Sequence, residues 1–297
     1  MNHFEYTYEE STLKTLQKIE LMILREFHQI CEENDIDYFL CGGTAIGYIR
    51  HGGFIPWDDD IDVGMTRDDY DKFLKIATEK YSDKYTVMNN ETNPKFHLMN
   101  TRWGLNGTSF ITDDFKDANE EYGIFLDIFC FDNIPDDEKQ MRKQGTWAWF
   151  WGKLMILSTV KKPVLYFGGL KAKILNLAFA ISYYTFKILH LTPSFFYRKA
   201  SKHMLKYQNV ETKRIAYMFD PSRFTSIVYK EDIYPTKLDV FDGINVRVPK
   251  DVDAYLSKRY GDYMQLPPEG KRHNHPPFKL DFGKYANFEQ LDKVEDL

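Results

Sequence analysis

Apolar residues recur at three- and four-residue steps through residues 8–34 (Leu16, Ile19, Ile23, Phe27, Ile30), which predicts one long amphipathic helix. The next run, 36–41, is strand-like and stops abruptly at Gly42-Gly43-Thr44; residues 45–50 read as a short helix closed by Gly52 and Gly53. In FIPWDDDIDVGM, Pro56 marks a turn, after which Ile61, Val63 and Met65 alternate with polar neighbours as in a half-buried strand. Residues 67–80 are patterned as a helix, with strands expected at 85–88 and 96–103. The run GIFLDIFCF (123–131) is apolar except for Asp127 and predicts a buried strand closed by Pro135. Residues 136–207 are helical and aromatic in pattern, 241–249 form a hairpin around Asp242-Gly243, 252–260 a helix, and 260–277 a Pro- and Gly-rich loop. The order predicts an α+β chain in three segments: a core over 1–135, a helical aromatic-rich insertion over 136–220, and a C-terminal segment over 221–297 that completes the cleft of the core.

Residues 174–191 are about as long as a minimal membrane span, but they contain Lys187, Ser182 and two tyrosines, and Lys171 and Lys173 precede them. With WAWFWGKLMIL (147–157), they read either as a buried helical layer or as a surface resting on lipid, the buried layer being the ordinary choice for helices of that length. No secretory signal pattern is seen in the polar, acidic N-terminal residues, so the expected location is the cytoplasm, including the inner face of the membrane.

Composition narrows the chemistry. With 297 residues, 43% of them hydrophobic, the chain has ample core, and its net charge of −5 argues against a general nucleic-acid footprint. An anionic substrate therefore needs a local cation or a metal. Cys31, Cys41 and Cys130 are far apart in sequence and form neither a zinc pattern nor a disulfide framework.

The candidate chemistry lies in three places. If Ile61 and Val63 face the core, Asp60 and Asp62 share the opposite face, because side chains alternate along a strand. Two adjacent carboxylates repel unless a cation neutralises them, and a hard divalent ion such as Mg²⁺ or Mn²⁺ suits all-oxygen ligands. Asp127, alone in an apolar strand, is costly to bury unless paired or coordinated; beside the first strand it completes a three-carboxylate cluster and could take the proton of an attacking hydroxyl. Gly42 and Gly43 let backbone N–H groups approach a phosphate at a helix start, Thr44 adds a hydroxyl, and Arg50 and His51 follow close in sequence. Each piece has a plainer explanation: a turn for the glycines, a solvated face for DDDID, a satisfied buried acid for Asp127. A calcium loop on Asp58, Asp60 and Asp62 fails, with Val63 where glycine is needed and Asp69 in place of the closing Glu. There is no P-loop, dinucleotide fingerprint, Gly-x-Ser-x-Gly or His-Glu-x-x-His.

GGT, a paired aspartate on a strand and a distant third aspartate on another strand together resemble the nucleotidyltransferase superfamily. The longer string CGGTAIGYIRHGGFIPWDDDIDVGMTRDDYDKF (41–73) resembles the LicD family of phosphocholine transferases, to which fukutin-type transferases are related; GIFLDIFCFDNIPDD (123–137) and YGDYMQLPPEGKRHNH (260–275) extend it. The resemblance is weakest over 138–220. It implies a nucleotidyltransferase-like mixed sheet flanked by helices, and metal-dependent passage of a phospho-alcohol, typically phosphocholine, from a CDP-activated donor such as CDP-choline to a sugar hydroxyl, with release of CMP. The acceptor class is a cell-surface glycan or a teichoic-acid or lipopolysaccharide precursor, including lipid-linked ones. The resemblance fits Asp60 and Asp62 to the superfamily pattern, with Asp58 as an assisting metal ligand, and makes Arg272 and His275 candidates for donor or phosphate contact, and Trp57, Trp103 or Tyr122 candidates to cage a quaternary ammonium. The residues leave two alternatives open: true nucleotidyl transfer to a small molecule, and a non-catalytic membrane-associated glycan-binding module.

Overall fold

The computed structural model describes residues 8–113, 115–116, 122–161, 169–268, 272, 274 and 276–286. In chain order the first elements are α1 (Glu10–Glu33), β1 (Phe39–Leu40), α2 (Gly42–His51), β2 (Asp62–Thr66), α3 (Arg67–Lys80), β3 (Tyr85–Met88), β4 (Thr101–Leu105), β5 (Ser109–Ile111) and β6 (Phe125–Ile134). They are followed by α4 (Glu138–Thr159), α5 (Gly169–Ile188), α6 (Pro193–Met204), β7 (Arg214–Tyr217), β8 (Ser226–Tyr229), α7 (Lys230–Ile233), β9 (Lys237–Phe241), β10 (Ile244–Val248), α8 (Val252–Tyr260) and β11 (Lys279–Asp281). The fold is α+β, as the pattern predicts. Two compact units divide the chain: one comprises 1–87, 102–130 and 228–297, the other 88–101 and 131–227.

The first unit is built on strands in the order β1-β2-β6-β4-β3. β1 runs antiparallel to β2, with Phe39 opposite Gly64 and Leu40 opposite Val63. The predicted stripe of α1 is its inner face: Leu16, Ile19, Ile23, Phe27 and Ile30 are all fully or almost fully buried. Phe27 packs against Tyr38 and Phe73 at centroid distances of 4.9 and 4.8 Å, and Trp103 stacks on Tyr85 at 3.8 Å. Each such side chain contributes roughly 1.5–3 kcal/mol through burial, so this cluster fixes α1 firmly against the sheet. Trp103 and Tyr122 are enclosed in this core, 0% and 2% exposed, which removes both from the candidates for a ligand cage.

Residues 237–248 form the expected hairpin, with Phe241 paired to Ile244. Asp242 and Gly243 both have positive φ (44° and 81°), the geometry of a type I′ turn. Its tip holds another loop: Asp242 Oδ2 accepts the Phe54 N–H at 2.8 Å, and Asp242 N–H donates to Gly52 O at 2.8 Å. One strand begins later than the apolar pattern suggests. Phe96 is buried, but β4 starts only at Thr101, because Asn89 Oδ1 accepts the Glu91 and Thr92 N–H groups and Asn90 donates to Phe96 O, holding 89–96 as turns. β5 pairs with the distant β11, a contact no local pattern announces.

In the second unit the end of β6 pairs antiparallel with β7 (Asp132 opposite Ala216), and β7 with β8. Asp137 caps α4 by accepting the Gln140 N–H at 2.8 Å. The buried Gln144 donates to Asn133 O and Met204 O, tying α4 to the strand before it and to the end of α6. α5 differs from expectation. It does not form a buried layer: Ala172 is its single buried residue.

Candidate active site and metal centre

The acidic run enters β2 in alternation, with Asp59, Ile61 and Val63 buried and Asp58, Asp60 and Asp62 partly exposed. Asp59 turns inward and accepts the Tyr8 hydroxyl at 2.9 Å, so it belongs to the support of the loop. Asp60 and Asp62 stand on the other face. β6 lies beside β2, and the Asp127 N–H donates to Ile61 O at 3.0 Å, which sets the third aspartate directly against the pair. One carboxylate oxygen from each of Asp60, Asp62 and Asp127 lies within 4.8 Å of the other two.

The backbone of Asp62 is clamped on both sides. Cys41 N–H donates to Asp62 O at 3.1 Å, and Asp62 N–H donates to Thr44 Oγ1 at 2.8 Å. The paired glycines make this close approach possible. A Cβ on Gly42 would lie 2.2 Å from Asp62 Oδ2, and one on Gly43 would lie 2.9 Å from Asp58 Oδ2. Gly42 also has φ 58°, in the left-handed region that favours glycine. It is the first residue of α2, which therefore starts three residues earlier than predicted and points its N-terminus at the carboxylates. The Gly42 N–H donates to the buried Tyr255 hydroxyl at 3.3 Å, so α8 covers the start of α2.

Charge in this pocket is strongly one-sided. Burial, then repulsion from Asp60, Asp127 and Asp58, holds the Asp62 carboxyl well above the usual carboxylate range, with Arg259 of α8 acting in the opposite sense. Glu20 behaves alike. It is 2% exposed on the inner face of α1, its Oε2 has no hydrogen-bond partner, and burial followed by Asp60, Asp59, Asp58 and Asp127 raises its carboxyl far above normal. One turn earlier, Gln17 donates to Asp58 O at 2.9 Å, which places this face of α1 against the acidic loop. Compensation comes from Arg102 of β4. Its Nε lies 3.4 Å from Asp127 Oδ1, an ion-pair distance without hydrogen-bond alignment, while its guanidinium sits 3.9 Å from the centre of the Phe125 ring and Nη1 makes no hydrogen bond.

This donor set fits a hard divalent cation. At a metal–oxygen distance of about 2.0–2.1 Å, adjacent ligand oxygens are about 3 Å apart and opposed ones about 4 Å, so oxygens within 4.8 Å of each other need only small rotations to share one ion. Among the described residues no thiolate or imidazole joins them, and a buried, unpartnered Glu20 oxygen and a raised Asp62 both mark negative charge in excess of local cations.

Other predicted residues lie elsewhere. Arg50 and His51 are in the last turn of α2, eight and nine residues from Gly42, or about 12–14 Å along the axis. Arg50 Nη2 donates to Gln265 O at 3.2 Å. Arg272 donates to Pro267 O and places its guanidinium 4.9 Å from the centre of the Trp57 ring, next in sequence to the acidic run. His275 lies outside the described residues. Glu20, Arg102, Tyr255 and Arg259 escaped the sequence reading, although a glutamate inside the apolar stripe of α1 and an arginine in a fully buried strand are both visible signals.

A family model described as LicD/FKTN/FKRP, nucleotidyltransferase domain, matches residues 35–174, the stretch that supplies all three aspartates. The lipopolysaccharide cholinephosphotransferase LicD of Haemophilus influenzae is 30% identical over 283 residues, which span 89% of this chain and 96% of that relative. The chain belongs to the LicD family. It is accordingly a transferase. Two uncharacterized rickettsial proteins share a shorter stretch with this LicD-family chain: one from Rickettsia typhi is 33% identical over 84 residues (28% of this chain, 26% of its own), and one from Rickettsia prowazekii 35% over 80 residues (27% and 29%).

Proposed function

We propose that this LicD-family transferase moves phosphocholine, or a similar phospho-alcohol, from a CDP-activated donor to a sugar hydroxyl of lipopolysaccharide or a related cell-surface glycan. The convergence of Asp60, Asp62 and Asp127 carries this reading, together with the whole-length similarity to a cholinephosphotransferase. In the reaction the acceptor oxygen attacks the phosphorus that bears choline. A new P–O bond forms, the bond to the bridging oxygen breaks, and CMP leaves with that electron pair.

Asp60, Asp62 and Asp127 would hold Mg²⁺ or Mn²⁺, which when bound neutralises charge on the transferring phosphate. Gly42, Gly43 and Thr44 fix Asp62 at the mouth of α2, whose N-terminus favours an anionic donor. Arg102, whose Nε lies 3.4 Å from Asp127 Oδ1, adds positive charge beside the cluster. Asp127 accepts the proton released by the attacking hydroxyl. Trp57 is the one ring of the three candidates that keeps accessible surface, and a quaternary ammonium stacked on the face that Arg272 covers would have to displace that guanidinium.

Incubating the purified chain with CDP-choline, Mg²⁺ and lipopolysaccharide acceptors tests this. CMP release that requires acceptor, stops with a chelator and stops in Asp62→Asn is expected. With donor labelled at the phosphorus next to cytidine, label must stay in free CMP; label appearing on the acceptor would instead establish nucleotidyl transfer.

A further inference from the structure

α5 presents an apolar stripe to solvent. Leu170, Ile174, Leu177, Ile181, Tyr184 and Ile188 follow one another at steps of four, three, four, three and four, so they line one side of the helix. All six are exposed, Leu170 and Ile188 by 74% and 75%. At about 1.5 Å per residue the stripe is about 27 Å long. An apolar surface of that length on an otherwise finished helix marks a contact site.

The charge around it is segregated. Residues 139–210 contain 13 Lys and Arg and no Asp or Glu, in a chain whose net charge is −5. α5 itself carries Lys171, Lys173 and Lys187. Aromatic rings lie beside these cations: Lys161 Nζ donates to Tyr184 Oη at 2.6 Å, Lys187 sits 4.6 Å from the centre of the Tyr183 ring, and Lys199 of α6 5.6 Å from that of Phe195.

We infer that α5 docks the chain on an anionic lipid surface, lying along the bilayer with the stripe in the acyl boundary and its lysines at the headgroups. The charge pattern selects this occupant. Pairing α5 with a second copy would juxtapose helices that carry lysines and no acidic partner, whereas a surface of anionic headgroups complements them at about 1 kcal/mol for each Lys or Arg near it. Lying flat also fits the helix dimensions: no single described helix is long and apolar enough to cross a membrane, and the chain bends by 103° between α5 and the helical segment that follows. The inference stands apart from the transfer reaction, since binding is read without turnover.

The test is flotation of the full chain with vesicles of phosphatidylcholine containing about 30% phosphatidylglycerol, compared with phosphatidylcholine alone. The chain is expected to float with the anionic vesicles, at least about tenfold more weakly with the neutral ones, and less in about 1 M NaCl, where screening is short-ranged. Ile174→Glu with Ile181→Glu should lower binding at least about tenfold while leaving the thermal melt unchanged, because both positions are exposed. Lys173→Gln with Lys187→Gln, which spares the stripe, should weaken binding and flatten its salt dependence. Absence of flotation with anionic vesicles overturns the inference, as does binding of parental strength by either double variant. So does a concentration-dependent dimer that the isoleucine changes dissolve, which would make the stripe an interface between copies.

Discussion

Replacing Gly42 by alanine asks two things of the chain at once: a left-handed backbone for a residue with a Cβ, and a new place for the Asp62 carboxylate that now fills that space. The first costs about 1–2 kcal/mol. The second swings a proposed metal ligand away from its partners, and misplacement by about 1 Å can cost about 100-fold in rate. Gly42→Ala is therefore expected to lose at least about 100-fold in CMP release with a modest drop in melting temperature, while Gly43→Ala, which meets only the tip of Asp58, loses much less. Initial rates beside circular-dichroism melts separate the two effects, and a Gly42→Ala enzyme of parental rate would refute the placement argument. Glu20 gives a second residue-scale prediction. Its carboxyl is buried with an unpartnered oxygen among four aspartates, which raises it far above the ordinary carboxylate range, so Glu20→Gln, which carries no charge at any pH, should stabilise the metal-free chain at pH 8. Chemical denaturation at pH 8 checks it; a variant less stable than the parent rules it out.

Between elements, the hairpin tip on the α2–β2 loop is the contact most open to a direct trial. Asp242→Ala removes the acceptor of the Phe54 N–H and keeps a left-handed φ that alanine tolerates poorly, so a loss of about 1–3 kcal/mol is expected, with Asp242→Asn milder. Urea midpoints of the two variants decide it. The elements themselves were legible where a pattern is local. The period of two at Asp60 to Val63 and the bare Asp127 in an apolar run suffice to put three carboxylates in register once β2 and β6 are neighbours, and α1, β3, α8 and the Asp242-Gly243 turn follow from spacing alone. Long-range facts were not legible. Nothing near Ser109 announces β11, nothing near Gly42 announces Tyr255, and the Asn-rich turns before β4 outweigh the apolar residues that suggested a longer strand. Glu20 was overlooked for a different reason: a charge on an apolar stripe reads as noise until the acidic loop packed on it is seen.

For the molecule as a whole, the acidic centre couples stability to pH and metal. Glu20 and Asp62 have carboxyls raised in the folded state, so the native chain binds more protons than the unfolded chain above the ordinary carboxylate range. Their contribution is therefore full at or below that range and is lost as pH rises through the raised values. The metal-free chain should melt progressively lower from about pH 5 to pH 8, by about 2–4 °C for each kcal/mol lost. Mg²⁺ should raise the melting temperature more at pH 8 than at pH 5, because proton and metal compete for the same oxygens. His28, whose burial lowers its imidazole, opposes this only as pH falls below the ordinary histidine range. Melts of the parent and Glu20→Gln across this range, with and without Mg²⁺, isolate the carboxyl part; a slope that rises with pH and is unchanged in the variant would contradict it.

The unit that holds the three aspartates is assembled from 1–87, 102–130 and 228–297, with most of the other unit, 131–227, between its second and third pieces. During synthesis all three aspartates leave the ribosome well before Tyr255 and Arg259, the α8 side chains that cover the start of α2 and offset the charge on Asp62. The nascent chain must therefore carry an uncovered acidic loop while nearly a hundred intervening residues emerge and pack among themselves. Closure over the carboxylates is a late event of biogenesis, and a ribosome stalled at residue 227 would display the aspartates without the helix that shelters them.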